Sequence, residues 1–296
     1  MYYNENTTIY YNGRMQKATE AHVDLYMQTL HYGYGVFEGI RSYNTDAGPR
    51  IFKAREHYDR LVNSCEQMHI PFSYTTDQMI QLTYDVLGIN NFTEAYIRPL
   101  VVCSPNMSLT HGQRSFLAIA AWEWNGYLGE KLLRLHISSL CRPHPRSVRV
   151  EAKTCGHYVN SILAVTEAKQ KGYDEALLLD YEGFIGEGPG ANIFFEKDGK
   201  LFTPATGNIL PGITRATVME LCDELGIQYE EGKYLPADLY AADSAFYCGT
   251  GAEIVGIESV DGRPLQKSWN NSLGKQVQQA YLSLVRLASL ESLSVA

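Results

Sequence analysis

The chain has 296 residues, 45% of them apolar and 20% charged, with a formal net charge of −8. That length fits one large domain or two ordinary ones, and the composition is that of a soluble globular protein. The acidic balance argues against a nucleic-acid partner, which needs a concentrated basic face, but not against a phosphate ligand, which needs only a local cation and a few amide donors.

No apolar run approaches the length of a membrane span. Met1-Tyr2-Tyr3-Asn4-Glu5-Asn6 lacks the basic start and apolar segment of a signal peptide, so a cytoplasmic protein is expected. The six cysteines (65, 103, 141, 155, 222 and 248) form no CxxC pair and read as reduced thiols. The eight histidines show no metal spacing; Cys141 and His144 come nearest to a ligand pair, and no metal is expected.

In chain order, Thr8–Tyr11 and Arg14–Gln16 flank Asn12-Gly13, the signature of a hairpin turn with positive φ. The glycines at 33, 35 and 39 are too many for a stable helix over His31–Arg41; a twisted strand with bulges and a ligand-lining strand both fit. The spacing is not that of a dinucleotide fingerprint. Arg50–Phe52 reads as a short strand. Lys53–Met68 reads as a helix with Tyr58, Leu61, Val62 and Cys65 on one face and Arg60 beside that stripe. Thr75 caps a second helix through Leu87. Strands are predicted at Ala95–Val102 and Phe116–Trp122, with a polar loop between them. Trp124–Gly129 interleaves glycines with aromatics, and the domain boundary is placed there: 1–123, a connector at 124–133, and 134–296.

Beyond the boundary, Leu135–Ser139 reads as a strand and Arg142–Arg146 as a loop. Ser147–Lys153 alternates apolar and polar residues, which predicts a half-buried strand ending at Lys153. Val159, Ile162, Leu163 and Thr166 then follow at helical spacing. Strands are predicted at Glu175–Asp180 and up to Glu187–Asn192, and a hairpin around Asp198-Gly199. Gly212 precedes a helix with Val218, Met219, Cys222 and Leu225 as its core stripe and Gly226 as its end. The amides of Ile213 and Thr214 at its start could seat an anion, and a threonine N-cap fits equally. Ser244–Cys248 is a strand running into Gly249-Thr250-Gly251, and Leu273–Leu290 a terminal helix. Lys153, the nearby Tyr158 and the glycine-flanked Glu187 suit one chemistry: an amine that forms a Schiff base with an aldehyde cofactor, and a carboxylate that holds a protonated pyridine nitrogen.

Taken in order, several stretches resemble the class IV pyridoxal-phosphate (PLP) aminotransferases, and among them the branched-chain amino-acid aminotransferases. They are Phe37–Arg41, Tyr96–Leu100, Lys153 with Tyr158, Glu187–Asn192, Leu210–Arg215 and Gly249–Glu253, and the likeness runs from Tyr10 to about Val285. The resemblance implies an α/β (α+β) fold of two domains with PLP in the cleft between them, a homodimer, and ping-pong transfer of the amino group of leucine, isoleucine or valine to 2-oxoglutarate. It implies that Lys153 forms the internal aldimine and moves the proton, that Tyr158 bonds the 3′-oxygen, and that Glu187 partners the pyridinium. Arg60, Ile213, Thr214 and Thr250 would hold the phosphate end, with Gly188 and Asn192 shaping the cofactor's bed and Leu210 also binding the cofactor. Tyr32, Phe37, Trp124 and Tyr127 would surround the apolar substrate side chain, with Arg41 also binding substrate. Tyr96 and the amides of Thr250 and Gly251 would take the α-carboxylate, with Ala252 beside them also binding substrate, and Arg98 would take the distal one. D-amino-acid and (R)-amine transaminases, aminodeoxychorismate lyase and a non-catalytic PLP-binding protein are the alternatives; Arg98, Phe37 and Arg41 favour the branched-chain reading. The chain departs from the family pattern in a glycine-free loop at 104–111, in Val148-Arg149-Val150 where prolines are usual, and in Ala191 where glutamate is common.

Overall fold

The computed structural model describes residues 2–124 and 131–287. The chain divides into two compact units, Met1–Asn125 with Ala152–His157, and Gly126–Glu151 with Tyr158–Ala296. Tyr127 and most of the expected connector lie outside the described residues. The class is the expected mixed α/β one: two sheets, each with helices packed on it.

The first unit contains β1 (Thr8–Tyr11), β2 (Arg14–Lys17), α1 (Gln28–Tyr32), β3 (Gly35–Phe37), β4 (Ile40–Thr45), β5 (Gly48–Ile51), α2 (Ala54–Gln67), α3 (Thr76–Asn90), β6 (Ala95–Cys103) and β7 (Ser115–Glu123). Among the described residues its sheet runs β2-β1-β7-β6-β4-β5, with β3 beside β6. Every pairing is antiparallel. The β1–β2 turn has Asn12 at φ 48° and Gly13 at φ 91°, as its sequence demands. Thr75 closes a capping box with Gln78 and starts α3. Tyr58, Leu61 and Cys65 of α2 pack with Met79, Val86 and Leu87 of α3 against Ile97, Val101, Leu117 and Ile119 of the sheet.

The second unit contains β8 (Leu133–Cys141), α4 (Tyr158–Gln170), β9 (Glu175–Leu179), β10 (Ile185–Glu187), β11 (Asn192–Lys197), β12 (Lys200–Pro204), α5 (Ile213–Leu225), β13 (Tyr229–Gly232), α6 (Pro236–Tyr240), β14 (Ser244–Gly249), β15 (Glu253–Val260), β16 (Arg263–Pro264) and α7 (Leu273–Arg286). Its sheet runs β10-β9-β8-β15-β14-β11-β12-β13, with β16 on β15. It is mixed, parallel where β8 meets β9 and β15 and where β12 meets β13. The small residues Ala164 and Ala168 seat α4 on Ala176 and Leu178, while Val159, Ile162 and Leu163 face solvent.

Four expectations need correction. No strand forms over Ser147–Lys153: the His144 carbonyl accepts from the amides of both Ser147 (2.8 Å) and Val148 (3.2 Å), and the chain turns. The alternation that suggested a strand reflects burial of Val150 and Ala152 in a non-repeating segment. The segment around Lys153 also groups with the first unit rather than with the residues that follow it. Gln28–Tyr32 is a helix, stopped by Gly33 in the left-handed region at φ 64°. In α5, Leu221 rather than Leu225 completes the buried stripe, and Leu225 is exposed.

Candidate active site

In the first unit the backbone of Lys153 is fixed on both sides. Its N–H donates to Ser64 Oγ of α2 (3.1 Å), and its carbonyl accepts from the Phe37 N–H of β3 (3.1 Å). An isolated bridge between Val36 and Thr154 continues that contact, and Gly33 lies so close to Gly156 that a Cβ on Gly33 would sit 2.7 Å from the Gly156 Cα. The Lys153 Nζ lies 5.2 Å from the centre of the Phe37 ring. The neighbouring Cys155 thiol is pushed up to about 11 by burial, so it is no competing nucleophile at neutral pH.

Helix α2 presents polar groups toward the same segment. Glu38 is fully buried and accepts from His57 Nδ1 (2.8 Å) and from both Nε (2.7 Å) and Nη2 (2.8 Å) of Arg60. Burial alone would raise the Glu38 carboxyl, but the adjoining Arg60 charge, with His57, holds it well below the usual carboxylate range. Burial drives the His57 imidazole down, so it donates as a neutral ring and Arg60 supplies the charge. Arg60 is therefore aimed by Glu38.

An aromatic cluster with one arginine in it lies on β3, β6 and β7. The Arg98 guanidinium stands 4.7 Å from the centre of the Phe37 ring and 5.4 Å from that of Tyr96. Tyr96 stacks on Trp122 at 5.1 Å and leans on Trp124 at 4.9 Å. Gly39 makes the space, since a Cβ there would fall 2.0 Å from the Tyr96 hydroxyl. Two further expected substrate residues lie in the same unit, Arg41 directly across from Tyr96 in the β4–β6 pairing. Arg41 is buried over the Tyr43 ring, with Glu94 at 3.7 Å, and Tyr32 is exposed, its hydroxyl donating to the Met107 carbonyl.

The second unit gathers its expected residues around Glu187. That carboxylate, 5% exposed, accepts from Arg142 Nη2 (2.9 Å), Asn192 Nδ2 (3.0 Å) and the Leu210 N–H (3.1 Å). Asn192 also donates to the Leu210 carbonyl, and Gly212 lets its Oδ1 lie where a Cβ would come within 2.0 Å. Gly212 is the N-cap of α5, so the threonine N-cap does not occur, and the amides of Ile213 and Thr214 open the helix. Gly188 is needed for the Tyr247 ring, 2.8 Å from its would-be Cβ. Thr250, Gly251 and Ala252 form the tight turn joining β14 to β15, and Gly249 packs that turn on Gly190 and Ala191. Tyr158 begins α4, which is tied to the same loop by the Ser161 hydroxyl donating to the Pro189 carbonyl (2.8 Å).

Residues 35–260 match the family model described as amino-transferase class IV. The chain is a class IV aminotransferase. It is similar to the branched-chain-amino-acid aminotransferase of Pseudomonas aeruginosa, 40% identical over 283 residues, covering 94% of this chain and 92% of that protein. Among solved structures it is similar to the Escherichia coli branched-chain amino acid aminotransferase, with a TM-score of 0.93, 39% identity and 96% of each chain covered. It is also similar to the Thermobaculum terrenum branched-chain amino acid aminotransferase in its PLP form, with a TM-score of 0.91, 33% identity and 97% of each chain covered.

Three groups of this aminotransferase escaped sequence reasoning: Arg142, the Glu38–His57 pair, and Ser64. Arg142 opens a proline-rich loop and pairs with a carboxylate 45 residues away, so no spacing rule could find it. Glu38 carried a usable signal, because a glutamate interrupts the otherwise apolar run Val36–Ile40, whereas His57 sits among charged residues and carried none. All six cysteines are free, as expected. No group of acidic, histidine or cysteine side chains among the described residues could hold a metal ion. No helix among them is long and apolar enough to cross a membrane.

Proposed function

We propose that this aminotransferase uses PLP to move the amino group of a branched-chain L-amino acid to 2-oxoglutarate. The residues present suit that cofactor: a half-buried lysine with its backbone fixed, a buried carboxylate fed by an arginine, and a helix start opened by a glycine cap. Bound PLP supplies an electron sink for the bond broken at the substrate's Cα. Lys153 supplies the amine that anchors it and carries the proton away from Cα. Glu187 would hold the ring nitrogen and Tyr158 the 3′-oxygen. The α5 amides of Ile213 and Thr214, with Thr250 and the Arg60 charge, take the phosphate.

The single observation that carries the substrate reading is Arg98 held against Phe37 and Tyr96. Aromatic faces accept an aliphatic side chain, and the guanidinium at their edge accepts the second carboxylate of glutamate. An apolar wall separates substrates differing by one methylene by only about 1–3 kcal/mol, so leucine, isoleucine and valine are all accepted. Following cofactor absorbance after L-leucine, D-alanine or an (R)-amine tests this; a response to D-alanine without one to L-leucine overturns it. The enzyme is read as a cytoplasmic homodimer, a reading supported by the exposed Val159, Ile162 and Leu163 on α4. Light scattering that gives a monomer at micromolar concentration would refute the dimer.

A further inference from the structure

We propose that Arg142 is a positioning residue: it holds Glu187 as an anion, in one rotamer, for the ring nitrogen of the cofactor. This rests on the cofactor reading above and adds a residue to it.

Four observations in the second unit carry the proposal. Arg142 is only 7% exposed, and its Nη2 lies 2.9 Å from Glu187 Oε1. A guanidinium is rarely buried unless an opposite charge compensates its lost hydration. The backbone of Arg142 is fixed directly after β8, its N–H donating to the Leu179 carbonyl at 2.7 Å, beside the strand that pairs with β10. Room for the side chain comes from Gly186, where a Cβ would lie 3.3 Å from Arg142 Cγ and 2.9 Å from the Leu178 carbonyl. The other donors to Glu187 described above, the Asn192 amide and the Leu210 N–H, are neutral, so they orient the carboxylate without supplying charge.

The chemical consequence concerns one proton. A carboxylate and a pyridine nitrogen in contact share a proton, and the cofactor is the better electron sink when the nitrogen has it. The Arg142 charge favours the carboxylate anion and so leaves the proton on the ring nitrogen. With a neutral side chain at 142 the proton shifts toward Oε1 or Oε2, and the sink weakens even though the substrate still binds.

The test uses the holoenzyme, Arg142→Gln and Arg142→Lys, each loaded with PLP or with a carbocyclic analogue whose ring nitrogen is replaced by C–H. Arg142→Gln should weaken PLP binding about tenfold to a hundredfold, the loss of one hydrogen bond between charged groups. Binding of the analogue, which offers Glu187 no proton, should stay within a factor of about two. The kcat for L-leucine should fall while KM holds, the pH titration of the visible band should move, and Arg142→Lys should recover part of each change. Equal weakening of PLP and analogue would mean that Arg142 serves only the fold, and would overturn the proposal. Should Arg142→Gln fail to fold, the PLP-to-analogue ratio of Arg142→Lys decides: a changed ratio supports the role and an unchanged one sinks it. Wild-type protein that takes up PLP without a visible band would instead refute the cofactor reading itself, and this proposal with it.

Discussion

Each unit of the molecule buries one carboxylate against one arginine, and the two pairs are built differently. Glu38 of the first unit is gripped by both Nε and Nη2 of Arg60 and by His57, all from α2. Glu187 of the second unit meets an Arg142 nitrogen, together with neutral amides drawn from two further segments. In the first pair the carboxylate serves the arginine, fixing the direction of a charge. In the second the arginine serves the carboxylate. Under the proposed function the same kind of ion pair would do opposite work, aiming a cation at the phosphate in one unit and holding an anion for the ring nitrogen in the other.

Substituting the groups served by these pairs tests the contrast. Lys153→Ala removes the amine outright; kcat in a leucine–2-oxoglutarate assay should drop by up to about 10⁴-fold and the band of the lysine-linked cofactor should vanish. Glu38→Gln strands the Arg60 charge in the interior and should cost about 3–5 kcal/mol in urea-monitored stability. It should also flatten the acid side of the stability profile. Because the folded-state carboxyl of Glu38 is depressed, its contribution is complete above the unfolded-state pKa of about 4.3 and disappears as pH falls toward the folded value. His57 adds to this, since the unfolded chain takes up a proton below about 6.5 that the buried ring resists. A stability curve level from about pH 7 to about pH 5 would contradict the His57 assignment, and one level from about pH 4 downward the Glu38 assignment.

Glu187→Gln strands the buried Arg142 charge and should cost about 3–5 kcal/mol of stability, as Glu38→Gln does, but should in addition lower kcat by about a hundredfold or more, the value of one charge-assisted contact at the reacting ring. If the two glutamates responded alike in both assays, the contrast would be lost. The smallest expected effect is that of Gly212→Ala. Its methyl would displace the Asn192 amide and cost about 1–3 kcal/mol by overpacking, with weaker cofactor retention on dialysis as the second reading.

Much of this was legible in the sequence, wherever the deciding interaction is local. Asn12-Gly13 and Asp198-Gly199 specify their hairpins because both positions take positive φ. Thr75 with Gln78 announces α3, and Gly226 ends α5 in the left-handed conformation. Legibility fails where distant groups decide. The period-two pattern of Ser147–Lys153 was overridden by the His144 carbonyl and by burial of Val150 and Ala152 in a turning segment. The glycines near 33 hid a one-turn helix, because Gly33 is a terminator and not a strand residue. Lys153, Glu187 and Asn192 could be named from their motifs, but the residues that hold them, Ser64 and Arg142, come from elements far along the chain. Their alphabet of contacts is tertiary.

The double anchoring of Lys153 reaches beyond the residue itself. With the amide given to Ser64 and the carbonyl claimed by Phe37, the main chain cannot follow the amine as it leaves one partner and approaches another. All of its travel is confined to the torsions of a four-carbon tether. The ordering entropy of that backbone is spent once, at folding, so in the role proposed for Lys153 each catalytic cycle would have only a pendulum to swing and no loop to rearrange.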